Sequence, residues 1–143
     1  MMSFPAITPA TEEEVRSGEI GKRLRQFNYS FVGEYPEVRP IRLNARDAAG
    51  KVVGGLRAVV ALHWLRVEVL WVDEPMRGQG LGARLLHEAE SVAKEMGAHS
   101  AALETFEWQA PAFYAKRGYE EVARMDGYVQ NFYLALMKKN LRA

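Results

Sequence analysis

Val67-Glu-Val-Leu-Trp-Val-Asp-Glu-Pro-Met-Arg-Gly-Gln-Gly-Leu-Gly-Ala83 is the stretch on which the fold of this 143-residue chain turns. An apolar strand runs into a glycine-rich turn, and the turn opens a long amphipathic helix. The first turn of a helix carries backbone N–H groups with no intrahelical acceptor, and the helix dipole favours negative charge there. A ligand carrying phosphate is therefore expected.

The elements on either side extend the pattern. Downstream, Leu81, Leu85, Leu86, Ala89, Val92, Ala93 and Met96 recur at helical spacing, and Gly97 sits where a helix-ending glycine belongs. Ala101 to Thr105 reads as a short buried strand. Pro111 suits the first turn of a second helix that ends near Gly118. Tyr119–Arg124 and Phe132–Lys138 alternate as a terminal strand pair.

Upstream, Leu65–Val72 is a strand, and Ile41–Ala45 with Val52–Val60 make a hairpin around the turn at Asp47–Gly50. Residues 28–40, with Gly33, Pro36 and Pro40, read as loop. Thr11 followed by three glutamates is an N-cap signal for a helix from Glu12 to Phe27, which Gly18 and Gly21 weaken or split in two. Residues 1–10 read as loop or short strand. The expected fold is α/β (α+β): a mixed, mostly antiparallel twisted sheet with a central parallel β-α-β unit and helices on both faces, in a single domain over 1–143.

Bulk composition removes several function classes. The formal net charge is +1, which favours neither nucleic acid nor an anionic membrane as partner. There is no cysteine, so disulfides, thiolate metal sites and a thiol nucleophile are all excluded. His63, His87 and His99 lack ligand spacing, and no metal is expected. With no apolar run long enough to span a membrane and no signal-peptide pattern at Met-Met-Ser-Phe-Pro-Ala, a cytoplasmic location is expected.

Three phosphate-binding patterns compete for the glycine turn. A P-loop needs Lys and Ser or Thr after its glycines, and neither follows here. Gly78, Gly80 and Ala83 fit a dinucleotide-binding G-x-G-x-x-A, with Glu104 near the position of a ribose-holding acid. That turn, however, follows its strand at once, whereas Asp73 to Arg77 intervene here and Pro75 cannot continue a strand ladder. Arg77-Gly78-Gln79-Gly80-Leu81-Gly82 fits the third pattern, Arg-x-x-Gly-x-Gly. It resembles the loop of the GNAT superfamily of acyl-CoA-dependent N-acetyltransferases. Glu104-Thr-Phe-Glu-Trp-Gln-Ala-Pro-Ala-Phe-Tyr114-Ala-Lys-Arg-Gly-Tyr119 is similar to a second segment of that family, in which a tyrosine precedes a Gly-aromatic pair. The resemblance covers residues 40 to 140 and weakens over the first 30.

The resemblance implies an N-acetyltransferase that moves an acetyl group from acetyl-CoA to a primary amine by direct attack in a ternary complex. A non-catalytic acyl-CoA sensor is the alternative. Backbone amides of Arg77, Gly78, Gln79, Gly80, Leu81 and Gly82 would hold the CoA pyrophosphate, and exposed backbone of Leu70, Trp71 and Val72 the pantetheine. Tyr114 would sit at the thioester as general acid. Glu68, placed by strand alternation on the face of Leu70 and Val72, is the first candidate base, and Glu104 the second. Many members carry Asn seven residues before the tyrosine; this chain has Glu107 there, with Gln109 nearby. Lys116 and Arg117 are candidates for the CoA 3′-phosphate. The acceptor is expected to be a small-molecule or peptide amine, read by the first helix region, residues 28 to 40 and the Asp126–Asn131 connection. A homodimer is compatible with the resemblance.

Overall fold

Turn chemistry and alternation build the sheet. The first strand, β1 (Arg39–Arg46), returns as β2 (Val52–Ala61) through a turn in which the Asp47 carboxylate accepts from the N–H groups of Ala49 and Lys51. A second tight turn, with Leu62 and His63 both at positive φ, leads into β3 (Trp64–Val72). Such a turn matches the twist of the strands it joins. A single 3-10 turn at Glu74–Met76 and the glycine loop then enter α3 (Leu81–Glu95). Next come β4 (Ser100–Phe106), α4 (Pro111–Lys116), β5 (Glu120–Val129) and β6 (Phe132–Asn140).

The six strands lie in the order β1-β2-β3-β4-β6-β5, and every pairing is antiparallel except β3 with β4. This is the mixed sheet with a central parallel β-α-β unit that the sequence predicts. Helix α3 packs on one face over β1, β2 and β3. Leu85, Leu86, Ala89 and Ala93 meet Leu56, Ala58, Leu65, Ala101 and Leu103 there in one core cluster.

The computed structural model describes residues 3–142. These fall into two compact units, one ending at Tyr35 and the other starting at Pro36. The first unit holds α1 (Glu12–Ser17) and α2 (Glu19–Val32). Thr11 and Glu14 exchange backbone and side-chain hydrogen bonds in the expected capping box, and the split falls at Gly18, whose φ is 68°. Residues 28–32 are helical rather than loop. Gly33 ends α2, and Arg25 anchors the exit by donating to the Tyr29 hydroxyl and the Tyr35 carbonyl. Residues 3–10 form no strand, and residues 1 and 2 lie outside the described residues.

One register detail overturns a sequence expectation. Arg57 pairs with Val69 and the next residue, Ala58, pairs with Val67, so Glu68 is an extra residue in β3. This β-bulge resets the alternation. Val67, Leu70 and Val72 share the α3 face, and Glu68 lies on the opposite one. Simple alternation had put Glu68 with Leu70 and Val72.

Candidate functional site

The glycine loop has a backbone shaped like an anion nest. Gly78 and Gly80 have φ of 78° and 82°, the left-handed region that only glycine enters at little cost, and a Cβ on either would point into open space. Gly82 is not among the positive-φ glycines. It lies in the first turn of α3, where a Cβ would stand 3.5 Å from the Phe113 ring. The first α3 amide to find a backbone acceptor is that of Arg84, which donates to the Gly80 carbonyl at 3.0 Å. Neither a side-chain cap nor a first-turn acid serves the N–H groups ahead of it. A first turn left open at the surface fits a pyrophosphate.

Arg77 does not reach over that nest. Its Nε donates to the Val72 carbonyl at 2.8 Å and its guanidinium lies 4.5 Å from the Trp71 ring centroid, so the arginine braces the strand-to-loop turn.

β3 and β4 pair only from Trp64–Ser100 to Val67–Leu103 and then part. Beyond Val67, no strand among the described residues lies on the edge of β3 that faces β4. The Asp73 N–H donates to the Val53 carbonyl, so alternation turns the backbone groups of Leu70 and Val72 to that open edge. Those groups suit the amides of a pantetheine arm. The backbone of Trp71 points the other way, to β2, which removes it from the expected set.

A cavity of about 430 Å³ opens at the parting of the strands, with Val67 and Leu103 in its wall. Glu68 and Glu104 both line it, with Arg66, Phe106 and Gln109. The structure thus brings together the two carboxylates that the sequence offered as alternatives. Glu68 continues the alternation of Leu65 and Val67, which turns it away from α3, and the bulge is what returns Leu70 and Val72 to the α3 face.

Tyr114 is not part of that lining. It is buried between Phe113 and Tyr119, with ring centroids at 5.2 and 5.7 Å. Burial raises its pKa above the usual tyrosine value, which keeps the phenol protonated. Helix α4 carries it beside α3, as the Phe113–Gly82 approach shows.

A carboxylate that the sequence pattern passed over holds this arrangement together. Glu90 lies on the buried side of α3; it accepts from the Tyr119 hydroxyl and from Lys139 Nζ, each at 2.8 Å. One side chain therefore ties the phosphate-loop helix to β6 and to the residue just past α4. Helical periodicity does place Glu90 beside Ala89 and Ala93, and a carboxylate on an apolar stripe was the available signal.

The remaining candidates take structural places. Glu107, where many members carry Asn, accepts from the Tyr133 N–H at 3.2 Å and so joins the β4–α4 connection to β6. Gln109 is held by its Oε1, which accepts from the Phe106 N–H at 2.8 Å. His63, Trp64 and His99 pack on one another, away from the cavity lining. Arg117 lies over the Phe113 ring. The connection expected at Asp126–Asn131 is shorter: β5 runs to Val129, and only Gln130 and Asn131 turn.

The pattern of the Acetyltransferase (GNAT) family matches residues 9–119. The chain belongs to the GNAT acetyltransferase family. Blasticidin-S acetyltransferase of Streptomyces morookaense is 39% identical over 109 residues, 73% of this chain and 80% of that protein. Acetyltransferase Atu2258 of Agrobacterium fabrum is 31% identical over 116 residues, 78% of this chain and 84% of that protein. The crystal structure of an acetyltransferase from Bacillus cereus ATCC 14579 superposes with a TM-score of 0.84 at 30% identity, over 95% of this chain and 97% of that one. This GNAT protein is accordingly an acyl-CoA-dependent acetyltransferase. Among the described residues no cluster of His, Asp or Glu is arranged to hold a metal ion, and no helix is long and apolar enough to cross a membrane.

Proposed function

We propose that this acetyltransferase moves the acetyl group of acetyl-CoA to a primary amine of a small cationic molecule, by direct attack within a ternary complex. The observation that carries the proposal is the pair Glu68 and Glu104 in one cavity at the parting of β3 and β4. The identity shared with Blasticidin-S acetyltransferase supports a small-molecule acceptor. The family match runs across both compact units, which supports treating 1–143 as one domain.

The nest at Gly78–Gly82 would hold the pyrophosphate, and the open backbone of Leu70 with the Val72 N–H the pantetheine. The acceptor amine must lose a proton before it attacks. A lysine-like amine has a pKa of about 10.4, so at pH 7 only about one molecule in a few thousand is neutral, a deficit of roughly 4–5 kcal/mol. Glu68 or Glu104, directly or through water, takes that proton. Nitrogen bonds to the thioester carbonyl carbon, the carbon–sulfur bond breaks, and Tyr114 donates a proton to the departing sulfur. The thiol product has a pKa of about 8.5, so its departure needs less help than the amine's deprotonation. With no cysteine in the chain, no thiol carries an acyl-enzyme.

The test is thiol release from acetyl-CoA against a panel of small amines. Amine-dependent release in wild type that falls in Glu68→Gln or in Glu104→Gln supports the proposal, and release unchanged in both overturns the base assignment. Acetyl-CoA binding with no release from any amine overturns it.

A further inference from the structure

Phe106 in the cavity wall begins a chain of four large aromatic side chains, and the chemistry above uses none of them. Phe106 is in the cavity wall. Trp108 lies parallel against it, with centroids 4.5 Å apart and planes 8° apart. Tyr128 of the β5–β6 hairpin sits 5.6 Å from Phe106, and Phe132, from the same hairpin, stands edge-on to Trp108 at 5.1 Å. Two segments far apart in sequence thus converge to build one aromatic surface.

That surface is not core. Trp108, Tyr128 and Phe132 remain 51%, 53% and 38% exposed, and none belongs to the hydrophobic cluster under α3. Rings that only fastened the hairpin to the β4–α4 connection would be stabilised by burial. Here the fastening is already done by hydrogen bonds, since Glu107 N–H donates to the Tyr133 carbonyl and Tyr133 N–H to the Glu107 carboxylate.

We propose that this aromatic shelf selects the acceptor: the preferred substrate joins its cationic amine to a flat unsaturated ring, which stacks on the shelf while the amine enters between Glu68 and Glu104. The proposal rests on the acceptor-cavity reading above and adds the substrate class to it. Charge complementarity supports the orientation. The lining has two carboxylates against one cation, Arg66, and the aromatic surface continues outward from Phe106. The cavity's size of about 430 Å³ suits a small molecule rather than a folded partner.

A matched pair of probes tests it. 2-Phenylethylamine and 2-cyclohexylethylamine carry the same cationic arm, and the saturated ring is the more hydrophobic. Simple apolar burial therefore favours the cyclohexyl probe, and stacking favours the phenyl probe. The chain has three tryptophans, so the indole N–H signals resolve Trp108 by NMR, with Trp108→Leu assigning it. The expected result is a ring-current shift of the Trp108 signal and a threefold to tenfold tighter Kd for the phenyl probe. Trp108→Leu and Tyr128→Ala should each erase the preference while the other indole signals stay in place.

Equal affinity, tighter binding of the cyclohexyl probe, a preference that survives both substitutions, or no binding by either probe overturns the shelf. Thiol release from acetyl-CoA, read on the same samples, separates the two proposals. Ring preference without release keeps the shelf and refutes the chemistry. Release without ring preference does the reverse.

Discussion

Removing Lys139 should cost this protein more than any ion pair at its surface. Lys139 Nζ lies 2.8 Å from Glu90, whose side chain is 9% exposed, while that of the lysine is 26% exposed. Breaking a fully buried pair costs about 3–5 kcal/mol, because the remaining charge is left unpaired in low dielectric. Partial exposure of Lys139 lowers this, and the Tyr119 hydroxyl still donates to Glu90, so Lys139→Met should cost about 3 kcal/mol. With a urea slope of about 2 kcal/mol per molar, the unfolding midpoint falls by about 1.5 M. Replacing the whole cluster, as Glu90→Leu with Lys139→Met and Tyr119→Phe, removes every partner together and should return stability to within about 1.5 kcal/mol of wild type. Urea unfolding followed by far-ultraviolet circular dichroism gives all the midpoints. A midpoint for Lys139→Met within about 0.3 M of wild type, or a triple variant no better than the single one, would refute the coupling argued for this cluster.

Other outcomes follow from the site. Tyr114→Phe should lower kcat about 100-fold with acetyl-CoA affinity unchanged; steady-state kinetics and calorimetry check this, and an unaltered kcat removes its role as acid. Gly80→Ala, forced to a φ of 82°, should lose about 1–2 kcal/mol of stability and weaken CoA binding, whereas Gly82→Ala, at ordinary φ with van der Waals room beside Phe113, should keep its Tm. Both Tyr114 and Tyr119 have raised pKa values in the fold, Tyr119 through burial first and then Glu90. The stability they contribute is full below the unfolded tyrosine pKa of about 10 and declines above it, as the unfolded chain ionises first. Thermal melts from pH 8 to 11 should show that decline, and Tyr119→Phe should lessen it.

The sequence pattern was informative where one physical signal dominated. Period-2 and period-3.6 repeats located the strands and α3, and two glycine-marked motifs at a fixed separation located the glycine loop and the tyrosine helix. It failed where tertiary structure intervened. The bulge at Glu68 follows from pairing with β2, which no local alternation reveals, and it reversed the face expected for that residue. Val72 as a backbone partner of Arg77, and Glu107 as a partner of Tyr133, needed the loops to be folded. Glu90 was visible as a carboxylate on an apolar stripe, but its partners lie 29 and 49 residues away. The aromatic shelf likewise joins Phe106 and Trp108 to Tyr128 and Phe132 only through the register of β4 with β6.

Calorimetric titration of acetyl-CoA into wild type and Gly80→Ala, followed by addition of a small amine to the wild-type complex with thiol release recorded, tests the central claim most directly. Micromolar binding to wild type, at least tenfold weaker binding to the variant, and amine-dependent release of one thiol per acetyl group transferred are expected. Equal affinity for both proteins, or tight binding with no release from any amine, would contradict it.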